Sequence, residues 1–341
     1  MFKIQVCKRL MMIFSIFVFV ISFIMIAPSE AAESLKIRMA GQSALDYPAT
    51  IQQMEFAKEI EEATNGRIQI KVYPANQLGD YTQVYEEIIK GSIEMALISV
   101  PSQFDQRLEI TYFPYMVENY DQIKKIYGPG GFLFNIMDGL HDELGVKFLG
   151  FSIEGFGGFG TTKPVESPAD PTVKKTVLIR VPNMDVFRLT TEAMGFPTVS
   201  IPYAEVYTAL QTGVAEGWTG GAPILTWFNY RDVIKYYYQY NCYVEVENWL
   251  INKDLWNKLS PADQELFFNT AQKMQLSSIS ISQKADIEYL KKLSDYGMEV
   301  TTFSNEELAK IADHVRKVAW PQLEKRIGPE LMAKINAESN K

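Results

Sequence analysis

Apolar and polar positions alternate from Leu35 to Met39, a strand pattern that Gly41 breaks. The period changes after Tyr47. Ile51, Met54, Phe56, Ala57, Ile60 and Ala63 recur at helical spacing up to Thr64, and Asn65-Gly66 supplies a helix stop. Ile68, Ile70 and Val72 then alternate as a second strand. Tyr81 to Lys90 reads as a helix stopped by Gly91, and Met95 to Val100 as a buried strand. This β-α-β-α-β opening predicts a largely parallel sheet covered by helices. Pro101 to Tyr115 reads as an irregular connection, Tyr120 to Leu144 contains helix, and Lys147 to Phe151 is a further strand.

A glycine-rich stretch, Gly155-Phe156-Gly157-Gly158-Phe159-Gly160, separates this set from a second one. The second set predicts a strand at Thr176 to Val181, a helix at Met184 to Met194 and a strand at Thr198 to Ile201. A helix at Ala204 to Thr212, a short strand near Val214 and a late strand at Val244 to Ile251 follow. Ser260-Pro261-Ala262-Asp263 opens a helix with a capping box and proline at its first position, running to Leu293 with Gly297 as its stop. Ser304 with Glu307 is a second capping box, for a helix from Asn305 to about Lys317. No internal repeat appears. Two α/β halves joined by a glycine-rich crossover predict two lobes, each a mixed, mostly parallel sheet with flanking helices, and a cleft between them. The expected boundaries are 32–152 for the first lobe, 153–255 for the second, and 256–341 for C-terminal helices packing across both.

The first 31 residues stand outside this scheme. Lys3, Lys8 and Arg9 precede an uncharged apolar run from Leu10 to Ala27, and Pro28-Ser29-Glu30-Ala31-Ala32 follows. That order is a secretory signal cleaved after Ala31; the alternative is an uncleaved anchor, since about 18 apolar residues nearly span a bilayer. Cleavage makes the chain two charges more negative than its formal −8. An acidic balance, with pI ≈ 5.1, argues against nucleic acid or an anionic membrane surface as partner. Cys242 is then the only cysteine left, too few for an internal disulfide, and is expected to pack in the core.

Catalytic signals are scarce. The chain has 2 His, His141 and His314, and no G-x-S-x-G, H-E-x-x-H, C-x-x-C or phosphate-loop pattern, nor a G-x-G-x-x-G with a following helix. Glu61-Glu62, Glu86-Glu87 and Glu306-Glu307 read as solvated helix faces. The aromatic segment Trp227, Phe228, Tyr230 and Tyr236 to Tyr238 reads as packing. Arg180 differs, because its neighbours in Val177-Leu178-Ile179-Arg180-Val181 are all apolar. A guanidinium there is costly to desolvate unless a carboxylate or phosphate pairs with it; otherwise it faces water at the strand end or pairs with an internal Glu. Trp218-Thr219, between Gly217 and Gly220-Gly221, either plugs a core gap or walls a pocket. Gly157-Gly158 marks a bend or a close backbone approach.

Several stretches resemble the DctP family, the extracytoplasmic solute receptors of tripartite ATP-independent periplasmic (TRAP) transporters. They are Lys163-Pro164-Val165 with Ser167-Pro168-Ala169-Asp170, Ile179-Arg180-Val181-Pro182-Asn183, Met194-Gly195-Phe196-Pro197, and the block Tyr203 to Gly217. Gln77-Leu78-Gly79 and Lys90 to Met95 match upstream. The resemblance implies a periplasmic receptor, not an enzyme, that closes on an organic acid and delivers it to the transporter's membrane subunits. It makes Arg180 the carboxylate anchor.

The departures bear on the solute. Dicarboxylate and sialic-acid members usually carry a Q-E-N-like element where this chain has Trp218-Thr219-Gly220, and often a second Arg where it has Phe156 to Phe159. The Gly-Gly-aromatic element, Trp218 and the triple tyrosine resemble the branch that binds 2-oxo acids and related monocarboxylates. Gly217 replaces that branch's acidic metal ligand, so no metal or cofactor is expected. The expected site is therefore a monocarboxylate on Arg180, with Trp218, Phe156 and Phe159 as an apolar wall and Gly158, Asn183 and Thr219 nearby. The competing readings are a C4-dicarboxylate receptor of the same family, a secreted enzyme using acidic residues in the cleft, and a sensor input module.

Overall fold

A computed structural model describes residues 34–339, so the expected secretory signal lies outside the described residues. Among them no helix is long and apolar enough to cross a membrane.

The predicted β-α-β-α-β opening forms. Strands β1 (Leu35–Gly41) and β3 (Met95–Ile98) pair in parallel, with Met39 opposite Met95. β2 (Ile68–Tyr73) flanks β1 on its other side. Helix α1 (Pro48–Ala63) ends where predicted, at Asn65 and Gly66 with φ of 50° and 77°. Helix α2 (Tyr81–Lys90) is capped by the Asp80 carboxylate, which accepts from the Thr82 N–H at 3.1 Å, and is closed by Gly91 at φ 76°.

The first sheet is not largely parallel. β10 (Val244–Asn252) runs antiparallel between β3 and β4 (Val146–Phe156), giving the order β2-β1-β3-β10-β4. Sequence order had counted this strand with the second lobe. Its composition suits the centre of a sheet, since all nine residues are buried and neither face alternates to solvent.

The second sheet has the order β11-β9-β5-β8-β6-β7. Its strands are β5 (Phe159–Thr161), β6 (Ile179–Val181), β7 (Thr198–Ser200), β8 (Gly217–Thr219), β9 (Tyr236–Gln239) and β11 (Glu299–Thr302). The strand expected near Val214 starts three residues later; Val214 itself is exposed, just beyond the left-handed Gly213 that ends the helix Val206–Thr212. The chain passes between sheets from β4 to β5 and from β9 to β10, and the two passages lie side by side. The Gly157 N–H donates to the Tyr243 carbonyl at 2.8 Å and the Cys242 N–H to the Gly157 carbonyl at 3.2 Å. A side chain on Gly157 would collide with the Tyr243 ring, so the glycine pair is a close backbone approach. Cys242 is buried there.

The helix Pro261–Asp295 touches β4, the helix Pro223–Asn229 and β11, and so reaches elements of both sheets. Its side chains also close the exposed edge of β4. Gln275, Ser278 and Asp286 accept from the N–H groups of Phe151, Ile153 and Phe156 at 2.9, 2.8 and 3.1 Å. The helix opened by the Ser304–Glu307 box runs to Ile327, through Pro321 rather than stopping near Lys317. Pro321 forfeits one backbone bond, but Leu323 and Ile327 beyond it are buried and Trp320 Nε1 donates to the Pro114 carbonyl at 3.0 Å.

Candidate functional site

Arg180 enters from the middle of β6 and is 1% exposed. Its Nε donates to the Ile201 carbonyl at 2.8 Å and Nη1 to the Thr219 carbonyl at 3.4 Å. Two main-chain carbonyls therefore aim the guanidinium, and neither carries a charge to pair with it. Among the described residues no ion pair joins it to a carboxylate, so neither the solvent-facing nor the internally paired reading fits. Burial depresses its pKa, and the phenols of Tyr230, Tyr81, Tyr203 and Tyr243 offset part of that.

The guanidinium lines a cleft between the two sheets. Both sheets contribute to it. From the second come Arg180, Pro182, Met184, Phe187, Tyr203, Gly220 and Leu225. From the first come Gln42 and Ser99, immediately beyond the carboxyl ends of parallel β1 and β3, where α/β sheets place ligands. These two lock one another, Gln42 Nε2 to Ser99 Oγ at 3.0 Å and Ser99 N–H to Gln42 Oε1 at 2.9 Å. Tyr81 opens α2, and Tyr112 is fixed by donating to the Val246 carbonyl at 3.1 Å.

The remaining lining residues are acidic. Glu245 of β10 pairs across the ladder with Gly155 and Val246 with Ile153, which leaves Glu154 as the extra residue of a β-bulge. Glu154 and Glu245 both face the cleft, and Glu247 lies behind, its Oε1 accepting from Ser43 Oγ at 2.8 Å. Burial pushes Glu154 up to about 7, with the Tyr47 hydroxyl beside it offsetting a little. Glu245 is also held well above the usual range, by burial and then by the Glu154 charge, with Arg180 pulling the other way. Glu247 is raised by burial and by Glu154. Among the described residues no group of three or more His, Cys, Asp or Glu is arranged to hold a metal ion.

The residues singled out from sequence are dispersed. Arg180 lines the cleft, and Thr219 reaches it through the carbonyl on Nη1. Trp218 does not line it: the indole meets Tyr230 edge-on at 4.4 Å and lies against Gly160 and Gly221. A Cβ on Gly221 would collide with the ring, so the glycines bed Trp218 in the core. Phe159 packs on Phe196 and Tyr240 at 5.3 and 5.1 Å. Phe156 meets Tyr120 at 5.4 Å beside a separate depression. Gly158 belongs to the passage between sheets, and Asn183 lines a neighbouring groove with Arg188 and Arg326. The expected apolar wall therefore does not stand at Arg180. Phenols, an amide, a hydroxyl and two carboxylates line the cleft, together with the apolar side chains of Pro182, Met184, Phe187 and Leu225.

Glu154 and Glu245 were missed. Their signal was the presence of acids inside otherwise apolar strands, Ile153-Glu154 and Val244-Glu245-Val246-Glu247, which costs stability unless used.

Two α/β lobes enclosing a guanidinium without a carboxylate partner define a small-solute binding protein. The chain belongs to the DctP family, bacterial extracellular solute-binding protein family 7, whose profile matches residues 39–325; it is a binding receptor and not an enzyme. Relatives include the C4-dicarboxylate-binding periplasmic protein DctP of Vibrio cholerae, 26% identical over 310 residues, covering 86% of this chain and 88% of that one. Among solved structures, a TRAP periplasmic solute-binding protein of Desulfovibrio salexigens with bound orotic acid superposes with a TM-score of 0.82 at 21% identity. The match covers 90% of this chain and 99% of the other. A TRAP protein of Pseudomonas putida F1 with bound D-glucuronate gives 0.76 at 25% identity, covering 89% and 97%.

Proposed function

We propose that this chain is the periplasmic receptor of a TRAP transport system, binding one carboxylate of a polar organic acid on Arg180 and delivering it to the membrane subunits. The observation that carries this reading is the buried Arg180 without a carboxylate partner. A desolvated guanidinium held only by carbonyls is complementary to an anion with two oxygens in its plane. The relatives support it, since their named solutes, C4-dicarboxylates, orotic acid and D-glucuronate, are all acids. Arg180 is the one cationic residue among those lining the cleft, which favours a monocarboxylate over a C4-dicarboxylate. The phenols, the Gln42 amide and the Ser99 hydroxyl favour a solute that carries hydrogen-bonding groups, and Met184, Phe187 and Leu225 offer it one apolar face.

The test is a thermal-shift screen of organic acids against the purified chain, followed by recovery of the solute. A true ligand at 100 Kd should add about 2.7 kcal/mol of stability and come back chemically unchanged. Trp218→Phe should lower the melting temperature yet hold affinity within about threefold, because the indole packs away from the cleft. Stabilisation by neutral sugars but by no acid would refute the reading, as would turnover of the bound acid.

A further inference from the structure

We propose that the solute is zwitterionic, carrying an ammonium or other cationic nitrogen that sits between Glu154 and Glu245 while its carboxylate sits on Arg180. This rests on the reading of Arg180 as the carboxylate anchor.

The cleft is polarised. Its cation comes from the second sheet, on β6, and its two carboxylates from the first, on β4 and β10. These carboxylates are unlike Glu109 and Asp263, the buried acids of the fold that are paired with arginine. Glu109 accepts from the N–H groups of Asp185 and Val186, both at 3.1 Å, and lies 3.5 Å from Arg326. Asp263 pairs with Arg67 and caps its helix with Ser260. Asp286 is intermediate: its Oδ2 accepts from the Phe156 N–H and from Tyr120 Oη at 2.5 Å, and its Oδ1 is buried without a partner. By contrast Glu154 Oε1, Glu245 Oε1 and Glu247 Oε2 are buried with no hydrogen-bond partner, and no Lys or Arg forms an ion pair with any of the three among the described residues. The bulge that turns Glu154 into the cleft is a local departure from the ladder, and only the uncharged Tyr47 hydroxyl stands beside the carboxylate.

Charge balance then selects the solute. With Arg180 and both carboxylates ionised, the cleft holds one more negative charge than positive. A simple anion would neutralise Arg180 and keep Glu154 and Glu245 protonated, their buried oxygens still without partners. A hydroxy acid would exchange hydrogen bonds with them but likewise favour their protonated forms. A zwitterion neutralises the guanidinium and brings a cation to the acids. The three acids are not arranged as a metal-ligand set, which favours an organic nitrogen over a bound ion.

The experiment uses matched pairs: L-amino acids and other amine-bearing monocarboxylates, each beside the twin in which hydroxyl replaces the amine, with D-glucuronate added. Kd is measured by calorimetry from pH 6 to 8 on the wild type, Glu154→Gln, Glu245→Gln and Arg180→Gln. The groups facing Glu154 are Tyr47, Tyr203, Glu245 and Glu247, with Arg180 beyond Glu245. A bound cation favours ionised Glu154, so an amine-bearing acid should release a proton and bind about tenfold tighter at pH 8 than at pH 6. A hydroxy acid brings only negative charge, takes up a proton and should bind more weakly as pH rises. The expected result is at least a tenfold preference for an amine over its hydroxy twin, lost in Glu154→Gln or Glu245→Gln. Melting temperatures of the unliganded variants at or above wild type would show that the loss is not unfolding. Binding of hydroxy acids or D-glucuronate with no response to amines would overturn the zwitterion while leaving Arg180 as anchor. Acid binding unaffected by Arg180→Gln, or no response to any acid, would overturn both.

Discussion

Replacing Arg180 by glutamine is expected to weaken binding of the acid by on the order of 10²- to 10³-fold without weakening the unliganded fold. Truncating one partner of a buried, hydrogen-bonded charge pair costs roughly 2–5 kcal/mol, much of it the penalty of leaving the other charge unpaired. The solute carboxylate would be left in that position. The unliganded protein has the opposite interest. There the guanidinium is desolvated against two carbonyls, and an uncharged side chain removes that burden. Arg180→Lys should recover only part of the affinity, because a point charge cannot match a planar carboxylate with two parallel bonds. Calorimetry for binding and urea melts for folding separate the two effects. Affinity within threefold of wild type in Arg180→Gln would refute the proposed anchor.

The unliganded protein should be most stable near pH 5 and lose at least about 3 kcal/mol by pH 7.5. Burial raises Asp286 from 3.8 to about 7 and Glu154 from 4.5 to about 7. A carboxyl whose pKa is raised on folding holds its proton longer in the native state, so stability falls as pH climbs from the unfolded to the folded value. Two such groups lose roughly 5 kcal/mol between pH 5 and 7 at about 1.4 kcal/mol per unit each. Glu245 and Glu247 act in the same direction. His141 opposes them. It is buried against Tyr85 and Phe148 and held neutral to about pH 3, so it costs stability as pH falls below 6.5, about 2 kcal/mol by pH 5. Below about pH 4 these buried carboxyls are protonated in both states, and the His141 loss is joined by that of Asp263 and Glu216, which Arg67 and Lys163 hold below the usual carboxylate range. Urea unfolding at pH 5, 6 and 7.5 checks the curve, and Asp286→Asn should flatten its upper limb. Stability that rises steadily from pH 5 to 7.5 would contradict the burial of these acids.

Elements with strong local punctuation were legible in the sequence. The helix at Tyr81–Lys90 stops at Gly91, which takes the left-handed conformation its type predicts. The Ser304 box likewise forms reciprocally with Glu307. Partnership across long separations was not legible. Nothing within Val244–Asn252 says that it pairs with Ile98 and Phe151 rather than with its chain neighbours, so its sheet was misjudged. The site follows the same division. Arg180 was visible alone, as a charge in an apolar strand. Glu154 and Glu245 meet it only because β10 crosses into the first sheet and carries a bulge opposite it. The aromatic wall failed for a different reason: glycines beside Trp218 suit an indole in a core as well as one in a pocket, and only packing tells them apart.

The thiol of Cys242 gives the molecule a built-in clock. It is buried within the passage joining β9 to β10, its N–H tied to the Gly157 carbonyl of the other passage. Burial also raises its pKa, so the thiolate that alkylating reagents require is scarce as well as inaccessible. Rigid-body opening of a cleft leaves the two adjoining passages paired, whereas unravelling of the junction parts them. Alkylation therefore counts excursions of the second kind and ignores those of the first. A solute that merely shuts the cleft will leave the reaction rate unaltered, and one that slows it is stabilising the junction itself.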